Sequence, residues 1–275
     1  MKRELPVYNI EGTDFIVDVA NLQLREKANP DNVIAVFDMR DVGNGYVFDY
    51  SSGEKNIPML FGDDTDIRTV KIPELVKIDP AGMAEKYGYT VYQVQQKTDF
   101  DLMVDQQAFG RRLMGQLPTV DIAGHTFFVD IRMDMLRPKD DFLSNGIVFS
   151  QIQHYYDDIR EAYVIPYNSA KHEFQELDLR NITAFPKDLI VVSFPHESRL
   201  DPVGFNRKCD VDETDGLKET NLKSHFEAKV IDWKETGIEE TIKENIMQQQ
   251  KQQQQSKQKD ESHKAGKRQR RGPKL

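Results

Sequence analysis

Six basic side chains crowd the last twelve residues: Lys264, Lys267, Arg268, Arg270, Arg271 and Lys274. Cations clustered in this way contact nucleic-acid phosphates without reading base sequence, with an affinity that falls steeply as salt rises. The competing reading is a solvated, solubilising end. Residues 251–275 hold nine Lys/Arg and two Asp/Glu, a net +7, whereas residues 1–250 sum to −16. An acidic body repels nucleic acid and anionic membrane surfaces, so the tail alone offers attraction to a nucleic acid or an acidic protein.

Other chemistry-bearing groups are sparser. Asp210, Asp212 and Asp215-Gly216 resemble the front of a calcium loop, but Asn221 stands at the twelfth position, where that loop needs a bidentate Glu. Asp63, Asp64 and Asp66 form a second acidic turn, and a solvated loop is the expectation for both. The histidines at 125, 154, 172, 196, 225 and 263 show no zinc spacing. Cys209 is the only cysteine, which excludes an intrachain disulfide; it follows Arg207 and Lys208, but no general base is placed for it. No phosphate loop, dinucleotide fingerprint or nucleophile elbow occurs, so neither a metal nor a cofactor is expected. The pairs Asp18/Arg25 and Asp130/Arg137 admit two readings: binding groups, or ion pairs that fix a hairpin to the segment after it. The second is favoured, because functional residues concentrate where related segments differ.

Those pairs belong to a larger pattern. With Leu5 placed on Leu117, ten identities fall in the 23 positions from Leu5 to Lys27 without a gap, among them Gly12/Gly124, Phe15/Phe127, Val17/Val129 and Asp18/Asp130. Tyr46-Val47 and Tyr50 then match Tyr163-Val164 and Tyr167, and the Asp79-Pro80-x-Gly82 run matches Asp201-Pro202-x-Gly204. The second copy is about ten residues longer.

Each copy predicts the same elements. Val7–Ile10 and Phe15–Val19 flank a glycine turn and read as a hairpin. A second hairpin is expected from Ala35–Met39, a turn at Gly43–Gly45, and Tyr46–Tyr50, with Ile147–Gln153 and Ala162–Tyr167 as its counterpart. Leu189–Phe194 reads as a buried strand. Asp before Pro is a helix start, so a short helix is expected after Asp79, ending at Gly88, and another after Asp201. His225–Trp233 alternates and reads as one further strand. Ile238, Ile242 and Ile246 recur every four residues, an apolar stripe that could mediate coiled-coil self-association.

The expected fold is therefore α+β: a β-rich unit over 1–98, a helical connector over 99–116, a second β-rich unit over 117–210, an acidic linker with a possible strand and helix over 211–250, and a disordered Gln-rich basic tail over 251–275. No apolar run approaches the ~20 residues of a membrane span, and the N-terminal residues lack a signal-peptide pattern. A cytoplasmic protein without membrane partners is the expectation.

The hairpin motif Leu5-Pro6…Ile10-x-Gly12-x-x-Phe15-x-Val17-Asp18, its copy at Leu117, and the terminal Lys-Arg-Gln-Arg-Arg-Gly-Pro-Lys-Leu resemble accessory proteins of bacterial mobile and conjugative elements. That resemblance implies an intracellular bacterial setting near DNA handling and no catalytic residues. The leading functional expectation is a non-enzymatic adaptor with a duplicated binding body and a basic arm. The alternatives are a hydrolase-type enzyme with a site in a cleft between the units, and a structural homo-oligomer joined through the 238–250 helix.

Overall fold

The computed structural model describes residues 3–58 and 66–269, with side chains to residue 255, and its first hairpin shows what Gly12 is for. Strand β1 (Val7–Ile10) pairs antiparallel with β2 (Thr13–Asp18), leaving Glu11-Gly12 as a two-residue loop. Both loop residues have positive φ, 47° and 86°. That left-handed pair is the turn whose twist matches the flanking strands. Between β8 (Thr119–Ile122) and β9 (His125–Asp130), Ala123-Gly124 repeats it with φ of 50° and 85°.

From there the two stretches run through the same elements. In the first, β3 (Gln23–Glu26) and β4 (Val33–Ala35) extend the sheet in the order β1-β2-β3-β4. In the second, β10 (Met135–Pro138) and β11 (Ile147–Val148) do so on β9. A second sheet follows in each: β5 (Arg40–Asp41), β6 (Tyr46–Ser51) and β7 (Ile67–Ile72), then β12 (Tyr156–Asp157), β13 (Ala162–Asn168) and β15 (Ile190–Pro195), with β14 (Glu173–Phe174) on β13. Alternate side chains of facing strands fill the cores. Phe15 meets Tyr50 edge-on at 6.3 Å between ring centroids, and Phe127 meets Tyr167 in the same way at 6.3 Å. In sequence, paired short helices follow each stretch: α1 (Leu75–Ile78) and α2 (Pro80–Tyr87) after the first, α7 (Glu197–Leu200) and α8 (Pro202–Lys208) after the second.

The Asp-Pro helix starts behave as the sequence predicts and carry an addition. Asp79 and Asp201 cap their helices by accepting the N–H of Gly82 and Gly204. Each carboxylate also grips an arginine. Arg3 donates two bonds to Asp79, both 2.7 Å, and Arg112 Nε sits 2.8 and 3.0 Å from the two oxygens of Asp201. This explains the glycine of the motif. A Cβ at Gly82 would overlap Asp79, Val19 and Arg3, and one at Gly204 would overlap the Asp201 carboxylate.

Three expectations need correction. Ala35–Met39 is not one strand: β4 ends at Ala35, Val36–Asp38 is a 3-10 turn, and the partner of β6 is the short β5. In the second stretch β11 stops at Val148 and α6 (Phe149–Ile152) follows. The chain is crossing from one sheet to the next there, and Val36 and Met39, like Phe149 and Ile152, bury side chains three apart, which is helical spacing. His225–Trp233 likewise divides, into β16 (His225–Glu227), parallel to β8, and β17 (Lys229–Ile231), antiparallel to β15. Alternation alone does not say which sheet a strand joins.

By contacts the chain forms two compact units: residues 1–118 with 197–224, and 119–196 with 225–275. The α7–α8 pair, which the sequence reading assigns to the second β-rich unit, belongs to the first unit, and so do residues 211–224 of the stretch expected to be an acidic linker, while residues 225–250 belong to the second. In the first unit α4 (Asp99–Met103) and α5 (Gln106–Leu113) replace a single helical connector, and α9 (Leu217–Thr220) joins them. Val104, Ala108, Val203, Leu217 and Leu222 make a small apolar cluster with Phe100 and Phe109. Asp99, fully buried, accepts the Tyr46 hydroxyl and the N–H groups of Leu75 and Val76.

Helix α10 spans Ile238–Gln269. Its apolar stripe does not extend so far, and every residue from 251 to 255 is exposed. That stretch is helical by propensity and continuation rather than by packing, a condition in which helix and coil lie close in free energy. Among the described residues no helix is long and apolar enough to cross a membrane.

Candidate functional site

On the second unit, one face of the β13–β15 pair carries the core and the other floors a cleft. Tyr163, Ile165 and Tyr167 point inward and are fully buried. Val164 and Pro166 point the opposite way, because strand side chains alternate. Val191, which pairs with Pro166, shares their face. The corresponding positions of the first stretch are Val47, Asp49 and Thr69, where Thr69 donates to Asp49 across exposed strands at 2.8 Å. The matching sheet position is thus polar and solvated in the first stretch and apolar in the second.

Several segments wall this floor. Leu177 and Leu179 come from the long loop after β14, Tyr155 from the turn before β12, Tyr156 from β12 itself, and Trp233 and Ile238 from the C-terminal region. They enclose about 320 Å³, the lower end of the range for small-ligand pockets. Polar groups stand at the rim: His154, Asp157, Arg160, Glu235 and Thr236.

The rim is fixed locally. Asp157 accepts the N–H groups of Ile159 and Arg160 at 2.9 and 3.0 Å and the Arg160 guanidinium at 2.6 Å. Its carboxyl is held below the usual range, by the backbone N–H of Arg160 first and the guanidinium next. Arg160 reaches Glu235 at 3.5 Å, and burial raises the Tyr155 hydroxyl above its ordinary pKa. Asp232 and Glu235 form a capping box that starts the 3-10 turn Trp233–Thr236 and so orients the indole.

Helix α10 holds a strap, residues 177–182 of the loop after β14. Asn245 is 9% exposed and its Nδ2 donates to the carbonyls of Leu179 and Ile182, both at 2.9 Å. Ile242 is 8% exposed and Ile238 lines the cleft. The stripe expected to mediate self-association is therefore largely spent on this unit, with Ile246 and Met247 left partly exposed. Replacing Asn245 by alanine is expected to cost about 1–2 kcal/mol and to speed hydrogen exchange at residues 179–182. Unchanged exchange there would show that the amide does not hold the strap.

A second polar cluster lies elsewhere on this unit. His125 and His172 stack in parallel, 3.7 Å between centroids, and His172 Nδ1 is 2.8 Å from Asp141 Oδ2. Burial first, and His172 second, push the His125 pKa below its usual value, against the pull of Asp141, Asp140 and Asp121. The folded chain thus binds fewer protons at His125 than the unfolded chain does. Its contribution to stability is full above the unfolded value of about 6.5 and declines as pH falls through it. Asp141, whose pKa His172 lowers, contributes in a separate window, lost only as pH drops below the ordinary carboxylate range. His125→Phe keeps a stacked ring and is expected to flatten the fall in melting temperature between about pH 7 and 5. An unchanged pH profile would exclude His125 as its source.

The residues singled out from sequence fare differently. Asp18 accepts the Asn21 backbone and amide and Arg25 Nη2 at 3.1 Å, and Asp130 stands 3.6 Å from Arg137 Nε while capping Met133. These are the ion pairs and turn bonds of the structural reading. Lys264, Lys267 and Arg268 lie on the backbone of α10, beyond the described side chains, and Arg270, Arg271 and Lys274 lie outside the described residues. The turn at 63–66 also falls outside, except Asp66, which pairs with Arg68 at 3.4 Å. Asp212 caps Thr214 and Glu213 pairs with Arg207, so two carboxylates of the 210–216 loop are engaged in local contacts. Among the described residues no group of three or more His, Cys, Asp or Glu is placed to hold a metal ion.

Sequence reasoning missed the cleft residues Tyr155, Leu177, Leu179 and Trp233. Tyr155, Leu177 and Leu179 fall where the second stretch is longer than the first, a signal that does not say what they cover, and Trp233 carries no such signal. No protein-family model, curated protein or solved structure matches this chain.

Proposed function

We propose that this chain is a non-enzymatic interaction protein whose second unit seats an apolar side chain of a protein partner in the cleft over β13 and β15. The single observation behind this reading is the switch in chemistry at one sheet position. Asp49 and Thr69 give way to Pro166 and Val191, and Leu177, Leu179 and Trp233 cover the apolar position. Apolar surface left partly open within a polar rim is the usual form of a docking site. The basic end supplies electrostatic reach to a nucleic acid or an acidic partner, and a place near bacterial DNA handling belongs to the same proposal.

Trp233 is the only tryptophan and lines the cleft, so its emission is a built-in probe. Capped dipeptides bearing Phe or Leu beside a Lys are expected to shift that emission to the blue. The exposed-rim variant Leu179→Asp is expected to abolish the shift, and a shift that survives it would reject the cleft as the docking site. The arm is tested separately, by DNA binding at two salt concentrations. Removal of residues 251–275 is expected to eliminate both the affinity and its salt slope, and retention of either would reject the arm.

A further inference from the structure

We propose that the first unit binds a small zwitterion, the size of glycine or alanine, in a recess built around Lys218. The recess encloses about 170 Å³. At ~30 Å³ per water that is room for about five or six non-hydrogen atoms. Its floor is Val36, Met39 and Tyr46, all buried, and Phe37 forms a wall.

Lys218 is the unusual member. Its side chain is 6% exposed, its ammonium lies 2.8 Å from Asp41 Oδ2 and 4.9 Å from the centroid of the Tyr46 ring, and it makes no hydrogen bond of acceptable alignment. An ammonium carries three N–H donors, and a buried donor left without an acceptor costs about 1–3 kcal/mol. The neighbouring phenol donates its proton to Asp99, and no hydrogen bond joins its oxygen to Lys218 Nζ. A lysine serving only as an ion-pair partner for Asp41 gains nothing from a recess beside its head group.

The segment that delivers Lys218 is the short helix α9. Gly216, at φ 67°, turns the chain into α9, and Leu217, fully buried, anchors it. Around the mouth stand Arg40, Asp41, Asp215 and Glu219. Three carboxylates against two cations repel a bare anion, and Lys218 repels a bare cation. A zwitterion answers both: its carboxylate turns inward to Lys218 Nζ, with Arg40 nearby, and its ammonium turns outward to Asp215 and Glu219. Tyr46 and Phe37 leave space for a methyl group and little more.

Calorimetric titration of the full chain with glycine, alanine, acetate and methylamine tests this. Alanine or glycine is expected to bind at least about tenfold more tightly than acetate or methylamine, a difference of about 1.4 kcal/mol. Lys218→Met is expected to lose binding by a similar factor. Should that variant fail to fold, Asp215→Asn with Glu219→Gln, both on the exposed rim, decides the matter. It is expected to weaken alanine and leave acetate unchanged or improved. Absence of heat with both amino acids, acetate matching alanine, or an unchanged alanine-to-acetate ratio in the rim variant would each overturn the proposal.

Discussion

Replacing Arg112 by alanine is expected to destabilise the protein by about 3–5 kcal/mol, the cost of leaving a buried charge without its partner. Asp201 is fully buried, and its side-chain partners are the guanidinium of Arg112, itself only 10% exposed, and the N–H of Gly204. Without the arginine, one helix-capping bond is left to support a carboxylate that water cannot reach. Arg3 offers an internal control. It makes the corresponding pair with Asp79, but its side chain is 32% exposed, so water can compensate, and Arg3→Ala is expected to cost about 1–3 kcal/mol. Urea denaturation of both variants measures the difference. Equal losses would show that solvent access does not govern these pairs. Arg112→Met retains the packing of the aliphatic stem, and pairing it with Asp201→Asn is expected to restore part of the stability, because the uncompensated charge is then gone.

The second large effect is expected at Asp99. Alanine there removes the acceptor for the Tyr46 hydroxyl at 2.7 Å and for the Leu75 and Val76 N–H groups at 2.7 and 2.8 Å. Three buried donors from a strand and a helix start lose their common partner at once. Hydrogen bonds to charged groups contribute about 1.5–3 kcal/mol each and do not add in full, so the expected loss is about 3–5 kcal/mol. Tyr46→Phe removes one of the three and is expected to cost about 1–2 kcal/mol. If it cost as much as Asp99→Ala, the two backbone bonds would carry no weight. Burial and Asp99 together drive the Tyr46 pKa far above that of a free phenol, so the hydroxyl should stay protonated in alkaline titration of the folded protein and join the titrating population only on unfolding.

Much of the fold was legible because its signals are local. The glycine of each first hairpin supplies a left-handed turn, as expected, though Glu11 and Ala123 share the positive φ that the reading placed on glycine alone. The Asp-Pro starts and the Gly88 stop stand where capping chemistry puts them. What failed was any inference that required knowing a neighbour. The alternation of 225–233 is the same whether one strand forms or two strands join different sheets. Val36 and Met39 look like strand residues until the chain is seen to change sheets between them. The acidic composition of 210–222 hid Leu217 and Leu222, whose burial turns an expected linker into part of the first unit.

The candidate sites divide in the same way. Taken alone, the sequence determined the hairpin turns and helix caps and favoured the Asp–Arg pairs, because each depends on residues within a few positions or on one strand pairing, and it determined the basic end, because net charge is a property of composition. Only the tertiary structure decided that Pro166 and Val191 face a cleft, that Trp233 and Leu179 cover it, and that Lys218 enters a recess beside Tyr46. Those placements join residues tens to hundreds of positions apart. They depend on which apolar face each late segment covers, and that follows from packing between distant surfaces, for which a single chain of letters carries no local signal.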